Sequence, residues 1–266
     1  MFKDCQGVPY PVFAKGVVSE CSPIVGAVPF GSVYSLKVLL EAGSQEPAAG
    51  QFYMLHAVRS DVLLGRPISV FHSEVLSEEE GKRVELAFLI LLIGKGTKDI
   101  CYLDFGDLIN LIGPCGNRFP MPQSVVECAR SACIETTEEL NNGGFDTASG
   151  LLNHRKVLLI GGGIGVAPVA GFAETLTNVS YDFYASFKSG SYGLENVKAE
   201  KLIITTDDGS VGVHGMLPAA LTEDVLREGN YSAVYACGPT PMLAYIQKIC
   251  QTVGVKCWLS MEAHMA

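Results

Sequence analysis

Two glycine-rich corners carry the residue types best suited to chemistry. In Lys156-Val-Leu-Leu-Ile-Gly161-Gly-Gly-Ile-Gly-Val-Ala-Pro168, a short apolar stretch runs straight into Gly161, Gly162 and Gly163, then Ile164 and Gly165. Glycines at the end of a strand let backbone N–H groups approach a phosphate, and the helix N-terminus that follows adds a favourable dipole. The dinucleotide fingerprint G-x-G-x-x-G is not met, because Val166 occupies the third glycine position counted from Gly161. A plain tight turn needing small residues is the simpler account, but the strand before it favours a phosphate site. The second corner is Tyr235-Ala-Cys237-Gly238-Pro239-Thr240-Pro241-Met242. Thr240 suits a helix N-cap and Pro241 the first helical turn. A ligand fits where two such corners face each other beyond the strand ends. Cys237 then lies at the ligand, or is a buried small hydrophobe; the residues alone do not separate the two.

Two further segments stand earlier in the chain. In Arg66-Pro67-Ile68-Ser69, an Arg can neutralise a diphosphate and a Ser hydroxyl can donate to a heterocycle nitrogen. Taken alone, the four residues read as a surface Arg beside a strand-starting proline. Gly94-Lys95-Gly96-Thr97 can present N–H groups to phosphate or be a turn. It lacks the P-loop spacing, so an ATPase is a weak reading.

Composition narrows what these segments serve. The chain has 266 residues, 48% hydrophobic and 18% charged, with 19 Lys plus Arg against 28 Asp plus Glu and a net charge of −9. Such a chain has ample apolar surface to bury and is not a disordered one. Its acidity argues against nucleic acid, whose phosphates demand basic patches. The longest purely apolar run, Leu86 to Ile93, falls far short of the ~20 residues of a spanning helix. Nine cysteines cannot all pair, and none stands at C-x-x-C spacing, so reduced thiols in a cytoplasmic protein are expected. No secretory signal is expected.

The elements that must hold these segments change character along the chain. Candidate strands are Val12–Glu20, Ser32–Glu41, Gln51–Val58, Ile68–Ser73, Val84–Ile93 and Leu108–Ile112, with one short helix around Lys98–Leu103. Short strands punctuated by glycine turns suggest an antiparallel sandwich or barrel. From Lys156, strands at Lys156–Ile160, Tyr181–Phe187, Lys201–Thr205 and Ala233–Cys237 alternate with helical stretches near Pro168–Leu176, Leu217–Glu228 and Pro241–Val253. That alternation implies a parallel sheet with crossovers. The expected organisation is a β domain over 1–122, a polar linker or insertion over 123–154 and an α/β domain over 155–266. The linker holds Cys128 and Cys133, with no further metal ligand nearby.

These segments, in this order, resemble the ferredoxin–NADP reductase-like flavoproteins. Within them the chain is most similar to the electron-transfer subunits of class B dihydroorotate dehydrogenase. The matching stretches also include Gly50-Gln-Phe, Gly113-Pro-Cys-Gly-Asn117, Thr206-Asp-Asp-Gly-Ser210 and Ser260-Met-Glu-Ala-His-Met-Ala266, so the resemblance spans almost the whole chain. It implies an N-terminal antiparallel barrel that binds FAD. Arg66 would pair with the diphosphate, Ser69 would lie near flavin N5, and Pro67 and Ile68 would shape the bed for the ring. Leu89, Ile90 and Leu91 would run along the flavin through backbone contacts, since the aromatic or basic residue common there is absent. Gly96 and Thr97 would hold phosphate oxygens. The α/β domain would bind NAD(H), with Gly161, Gly162, Gly163, Ile164 and Gly165 at its diphosphate and Cys237, Gly238 and Pro239 bordering the nicotinamide. Ser69 and Cys237 would flank the reacting atoms. Asp207-Asp208-Gly209 reads more simply as a turn. Arg118 stands where glycine is usual.

The resemblance also implies a tail of cysteines, spaced C-x4-C-x2-C and then one more, holding a [2Fe–2S] cluster that relays electrons to a partner's FMN. The chain stops at Ala266, so the cluster is expected to be missing from it, and no metal ligand is assigned. The implied partner is an FMN-containing dihydroorotate dehydrogenase catalytic subunit in a heterotetramer of pyrimidine biosynthesis. Two other readings stand beside it. One is a flavin reductase subunit of a hydrogenase or ferredoxin:NAD oxidoreductase; the other is a cluster-less flavin-binding assembly module.

Overall fold

The computed structural model describes residues 11–77, 83–122 and 156–261. The expected linker, with Cys128 and Cys133, lies outside the described residues apart from its edge. Six antiparallel strands come first: β1 (Val12–Pro23), β2 (Val33–Leu40), β3 (Phe52–Ala57), β4 (Arg66–Ser77), β5 (Arg83–Leu91) and β6 (Leu108–Cys115). They close into a barrel in the order β1-β2-β5-β4-β3-β6. Strand alternation fills it: Val18, Leu36, Val38, Leu55, Phe88, Ile90 and Leu111 point inward and pack as one cluster. A short helix, α1 (Lys95–Cys101), follows β5. It starts earlier than the expected Lys98, because the Thr97 hydroxyl accepts hydrogen bonds from Ile93 N (3.0 Å) and Gly94 N (3.1 Å) and caps the turn.

The second half is a parallel sheet of β7 (Val157–Gly162), β8 (Tyr181–Phe187), β9 (Lys201–Thr206), β10 (Val213–His214), β11 (Val234–Cys237) and β12 (Cys257–Ser260). Its order is β10-β9-β8-β7-β11-β12. The chain winds outward from β7 through β10, then returns to place β11 on the other side of β7. β7 and β11 therefore flank the topological switch point, where open α/β sheets bind ligands. β7 is buried at every position, as a strand covered on both faces must be. Helix α2 (Val166–Thr175) covers one face. α3 (Glu223–Glu228) and α4 (Thr240–Val253) cover the other. α4 buries Leu243, Ile246, Ile249 and Cys250, a stripe at helical spacing, and Gly254 ends it in the left-handed region (φ 80°). No helix among the described residues is long and apolar enough to cross a membrane.

The barrel-plus-parallel-sheet architecture expected from the sequence is the one observed. β10 and β12 were not expected; two and four residues carry too little periodicity to stand out. One local expectation is corrected: Thr240 does not cap α4. The cap is Pro239, extended at φ −58° and ψ 143°, and Thr240 is already inside the helix with no side-chain cap bond.

The two halves share a core. Val33, Leu89 and Phe119 from the barrel side pack in one cluster with Val166, Phe172, Phe183 and Tyr235. Phe119, Phe172 and Tyr235 stack pairwise with centroids 4.9–5.9 Å apart. The Tyr235 hydroxyl donates to Pro120 O at 2.9 Å. Farther along the chain, Ser191 N donates to Gly26 O at 3.1 Å.

Candidate functional site

The two glycine corners meet at the switch point because three glycines allow it. Cys237 stands opposite Gly161 in the β11–β7 register. A Cβ on Gly165 would lie 2.6 Å from Cys237 O and 2.8 Å from Gly238 Cα. One on Gly162 would lie 2.6 Å from Met242 Sδ, and one on Gly161 2.7 Å from Val166 Cα. Gly165 thus packs backbone to backbone against the second corner, Gly162 lies under the Met242 side chain and the Pro239 ring, and Gly161 lies against the start of its own helix. Gly163 differs: its φ is +54° and a Cβ there would meet nothing within 4 Å. It opens a single 3-10 turn, Gly163–Gly165, that leads into α2. The open face at Gly163 is where a phosphate has room to approach backbone N–H groups.

That face borders a cavity of about 830 Å³ at the carboxyl ends of the strands, within the usual size range of ligand sites. Gly162 to Gly165 and Cys237 to Pro239 form its floor; Val33 and Leu91 close it from the barrel. Cys237 is 5% exposed. Residues that sequence reasoning missed complete the walls. Ser186, Lys188 and Ser189 lie at and just past the end of β8, and Tyr192 beyond them. Burial pushes the Tyr192 phenol up to about 12. Their signal was positional only: they stand at the carboxyl end of the strand beside β7. Asp207 also reaches the cavity. Asp208 and Gly209 form the expected turn, with Ser210 N donating to the Asp208 carboxylate at 3.0 Å and Gly209 at φ +71°. Hydroxyls of Ser189 and Ser210 hold the Asp208 pKa down to about 2. Two other concavities, about 710 and 790 Å³, lie along α2 and around its C-terminal end, away from the glycine corners.

A second group of predicted residues gathers on the barrel. Gly96 lets the Arg66 guanidinium rest on the first turn of α1: a Cβ there would lie 2.9 Å from Arg66 Nη2 and 3.0 Å from Cζ. A cation thus sits beside a helix start whose first amides have no intrahelical acceptor. The Thr97 hydroxyl donates to Gly94 O at 3.0 Å, so what Thr97 offers outward is its backbone N–H. Along β4 and β5, residues alternate between barrel interior and the parallel sheet. Ile68 packs on the barrel core and Ile90 is fully buried in it. Leu89 faces the shared core and Leu91 reaches the cavity. Pro67 is exposed and Ser69 half-buried. The structure brings Leu91, Gly162–Gly165 and Cys237–Pro239 into one cavity and Arg66 with Gly96 into another place on the barrel, joined by β4 and the end of β5.

Gln51 is a further residue the chemistry of the segments did not single out. It is 1% exposed. Its Oε1 accepts from Ala48 N at 2.9 Å, and its Nε2 donates to Gly116 O at 3.0 Å. It ties two loops to the start of β3 next to Ser69, whose register partner is Phe52.

Curated proteins share this sequence pattern over most of the chain. The electron transfer subunit of dihydroorotate dehydrogenase B (NAD(+)) from Clostridium acetobutylicum is 32% identical over 236 residues, covering 88% of this chain and 78% of that one. The corresponding subunit from Clostridium perfringens is 30% identical over 260 residues, covering 96% and 85%. The chain belongs to this family. It is an oxidoreductase electron-transfer subunit. No family model matches it. Among solved structures, the NADH-dependent reduced ferredoxin–NADP oxidoreductase superposes with TM-score 0.63 at 19% identity, over 98% of this chain and 79% of that one. A ferredoxin NADP+ reductase from Neisseria gonorrhoeae with bound FAD and NADP gives 0.58 at 13%, over 95% and 100%. Both share the fold of this electron-transfer subunit.

Among the described residues no three His, Cys, Asp or Glu side chains gather as a metal site.

Proposed function

We propose that this chain holds FAD on the barrel and NAD(H) at the glycine corners, and passes electrons between them for dihydroorotate oxidation in pyrimidine biosynthesis. The observation that carries the reading is the single cavity shared by Leu91 of the barrel strand and the two glycine corners. FAD, when bound, supplies the centre that exchanges a hydride with the nicotinamide.

The chain's own part is binding and placement. Arg66 and the α1 amides at Gly96 and Thr97 neutralise the FAD diphosphate. Pro67, Ser69 and the backbone of Leu89–Leu91 would bed the ring, with Ser69 offering its hydroxyl near the flavin nitrogen N5. Gly161 to Gly165 take the dinucleotide phosphates, Gly163 through its open face. Cys237, Gly238 and Pro239 border the nicotinamide. The shared apolar core around Leu89, Val166 and Phe172 keeps water from the space between the rings. We place the protein in the cytoplasm, docked on an FMN-containing catalytic subunit as a heterotetramer. The test is reconstitution with that subunit: the two chains should co-purify as a complex whose FAD is bleached by NADH. A folded, FAD-loaded chain that fails to bind the subunit would reject the assignment to this reaction.

A further inference from the structure

We propose that Gly171 and the His72–Glu174 pair are positioning residues that set the distance between the two cofactor rings. The inference rests on the function proposed above. β4 carries Arg66 and Ser69, the flavin strand. α2 begins where the Gly161–Gly165 corner ends. These two elements are in direct contact. A Cβ on Gly171 would collide with Phe71 O and lie 3.1 Å from Phe71 C, with Val70 O at 3.6 Å. The helix therefore rests on the carbonyls of β4 itself, without a side chain between.

One turn later the contact is bolted. His72 Nδ1 on β4 shares a 2.5 Å hydrogen bond with Glu174 Oε2 on α2. Asn196 Nδ2 donates to the other carboxylate oxygen at 3.2 Å and fixes its orientation. Gly193 packs more loosely, against side-chain ends: a Cβ there would stand 2.7 Å from Leu89 Cδ1 and 3.4 Å from Val166 Cγ1. Strand and helix thus form one rigid piece that holds the flavin bed at one end and the glycine corner at the other. Gly171 and His72 lie outside the 830 Å³ cavity and line the separate 710 Å³ one along α2, so their proposed part in the reaction is placement. Transfer between stacked rings is steep in distance, and a shift of ~1 Å is worth about 10²-fold in rate.

The test is anaerobic single-turnover bleaching of bound flavin by NADH in the full chain, for wild type, Gly171→Ala, His72→Leu and His72→Gln. Gly171→Ala should slow bleaching by about 10²-fold and remove the long-wavelength absorbance of a nicotinamide stacked on flavin. FAD content, NADH affinity and reoxidation by ferricyanide should stay as in wild type. His72→Leu should slow bleaching several-fold, and His72→Gln, which restores a donor to Glu174, should recover the rate. An unchanged rate in Gly171→Ala, or a loss matched by loss of FAD or NADH binding, overturns the proposal. Should Gly171→Ala fail to fold, the His72 pair decides: equal rates in His72→Leu and wild type overturn it. A wild type whose bound flavin NADH cannot bleach refutes the functional reading instead, and this inference with it.

Discussion

Gly165→Ala tests the meeting of the two corners in the most localised way. The added Cβ would stand 2.6 Å from Cys237 O, 2.7 Å from Cys237 C and 2.8 Å from Gly238 Cα. All three are backbone atoms, so no side chain can swing aside. Ordinary contact begins at 3.4 Å, so the corners must part by about 0.8 Å, the difference between 3.4 and 2.6 Å. Overpacking of this kind costs about 1–3 kcal/mol. Part of that appears as stability, a fall in Tm of roughly 2–10 °C for a protein of this size. Part appears in NADH binding, because the N–H groups around Gly163 no longer converge; 1.4 kcal/mol there is about tenfold in Kd. FAD content should not change, since Arg66 and Gly96 lie on the barrel. The assay is an anaerobic NADH titration of flavin bleaching, with thermal melts of the same samples. Wild-type NADH affinity in a folded variant, or loss of FAD with NADH binding intact, would refute the reasoning.

Other substitutions separate structure from chemistry. Arg66→Ala removes the cation at the α1 turn, and with charge-assisted bonds worth about 1.5–3 kcal/mol FAD retention should weaken by one to two orders of magnitude while circular dichroism stays unchanged. Asp182, 1% exposed, takes a hydrogen bond from the Tyr231 hydroxyl at 2.6 Å and an ion pair from Lys156 at 2.8 Å. Asp182→Ala leaves the buried Tyr231 hydroxyl without its acceptor while Lys156 keeps Glu200 at 3.6 Å, and should cost about 1–3 kcal/mol in denaturant titration, with the NADH bleaching rate unaltered in the folded fraction. Gln51→Leu leaves Ala48 N and Gly116 O without their partner; Gly116 is exposed and Ala48 half-buried, so each lost bond costs about 0.5–1.5 kcal/mol. It should lower Tm and raise protease cleavage within the 116–119 loop; cleavage like that of wild type would count against its tying role.

How far the residues alone disclosed this arrangement varied with the kind of signal. The strands of the barrel were legible because alternation is strong: Leu36, Val38 and Leu40 against outward neighbours leave no second register. Both corners were visible as glycines at the end of a buried apolar run. What sequence did not reveal was the reason for each glycine. Gly165 and Gly171 serve close approach to segments distant in sequence, Cys237–Gly238 and Phe71, which local pattern cannot contain. The cavity walls at Lys188, Ser189 and Tyr192 escaped notice because nothing in their types marks them; only the parallel register beside β7 places them. Thr240 differs for the opposite reason: its type suits a cap, but the extended Pro239 is the last residue before the helix and Thr240 is its first.

The central claim is that the barrel and the glycine corners hold two cofactors in electronic contact. It is tested most directly by the visible absorption spectrum of the purified, FAD-loaded chain before and after anaerobic NADH. The account predicts flavin bands that bleach within mixing and return on reoxidation. A chain that takes up no FAD, or one whose bound flavin stays oxidised under NADH, would contradict it.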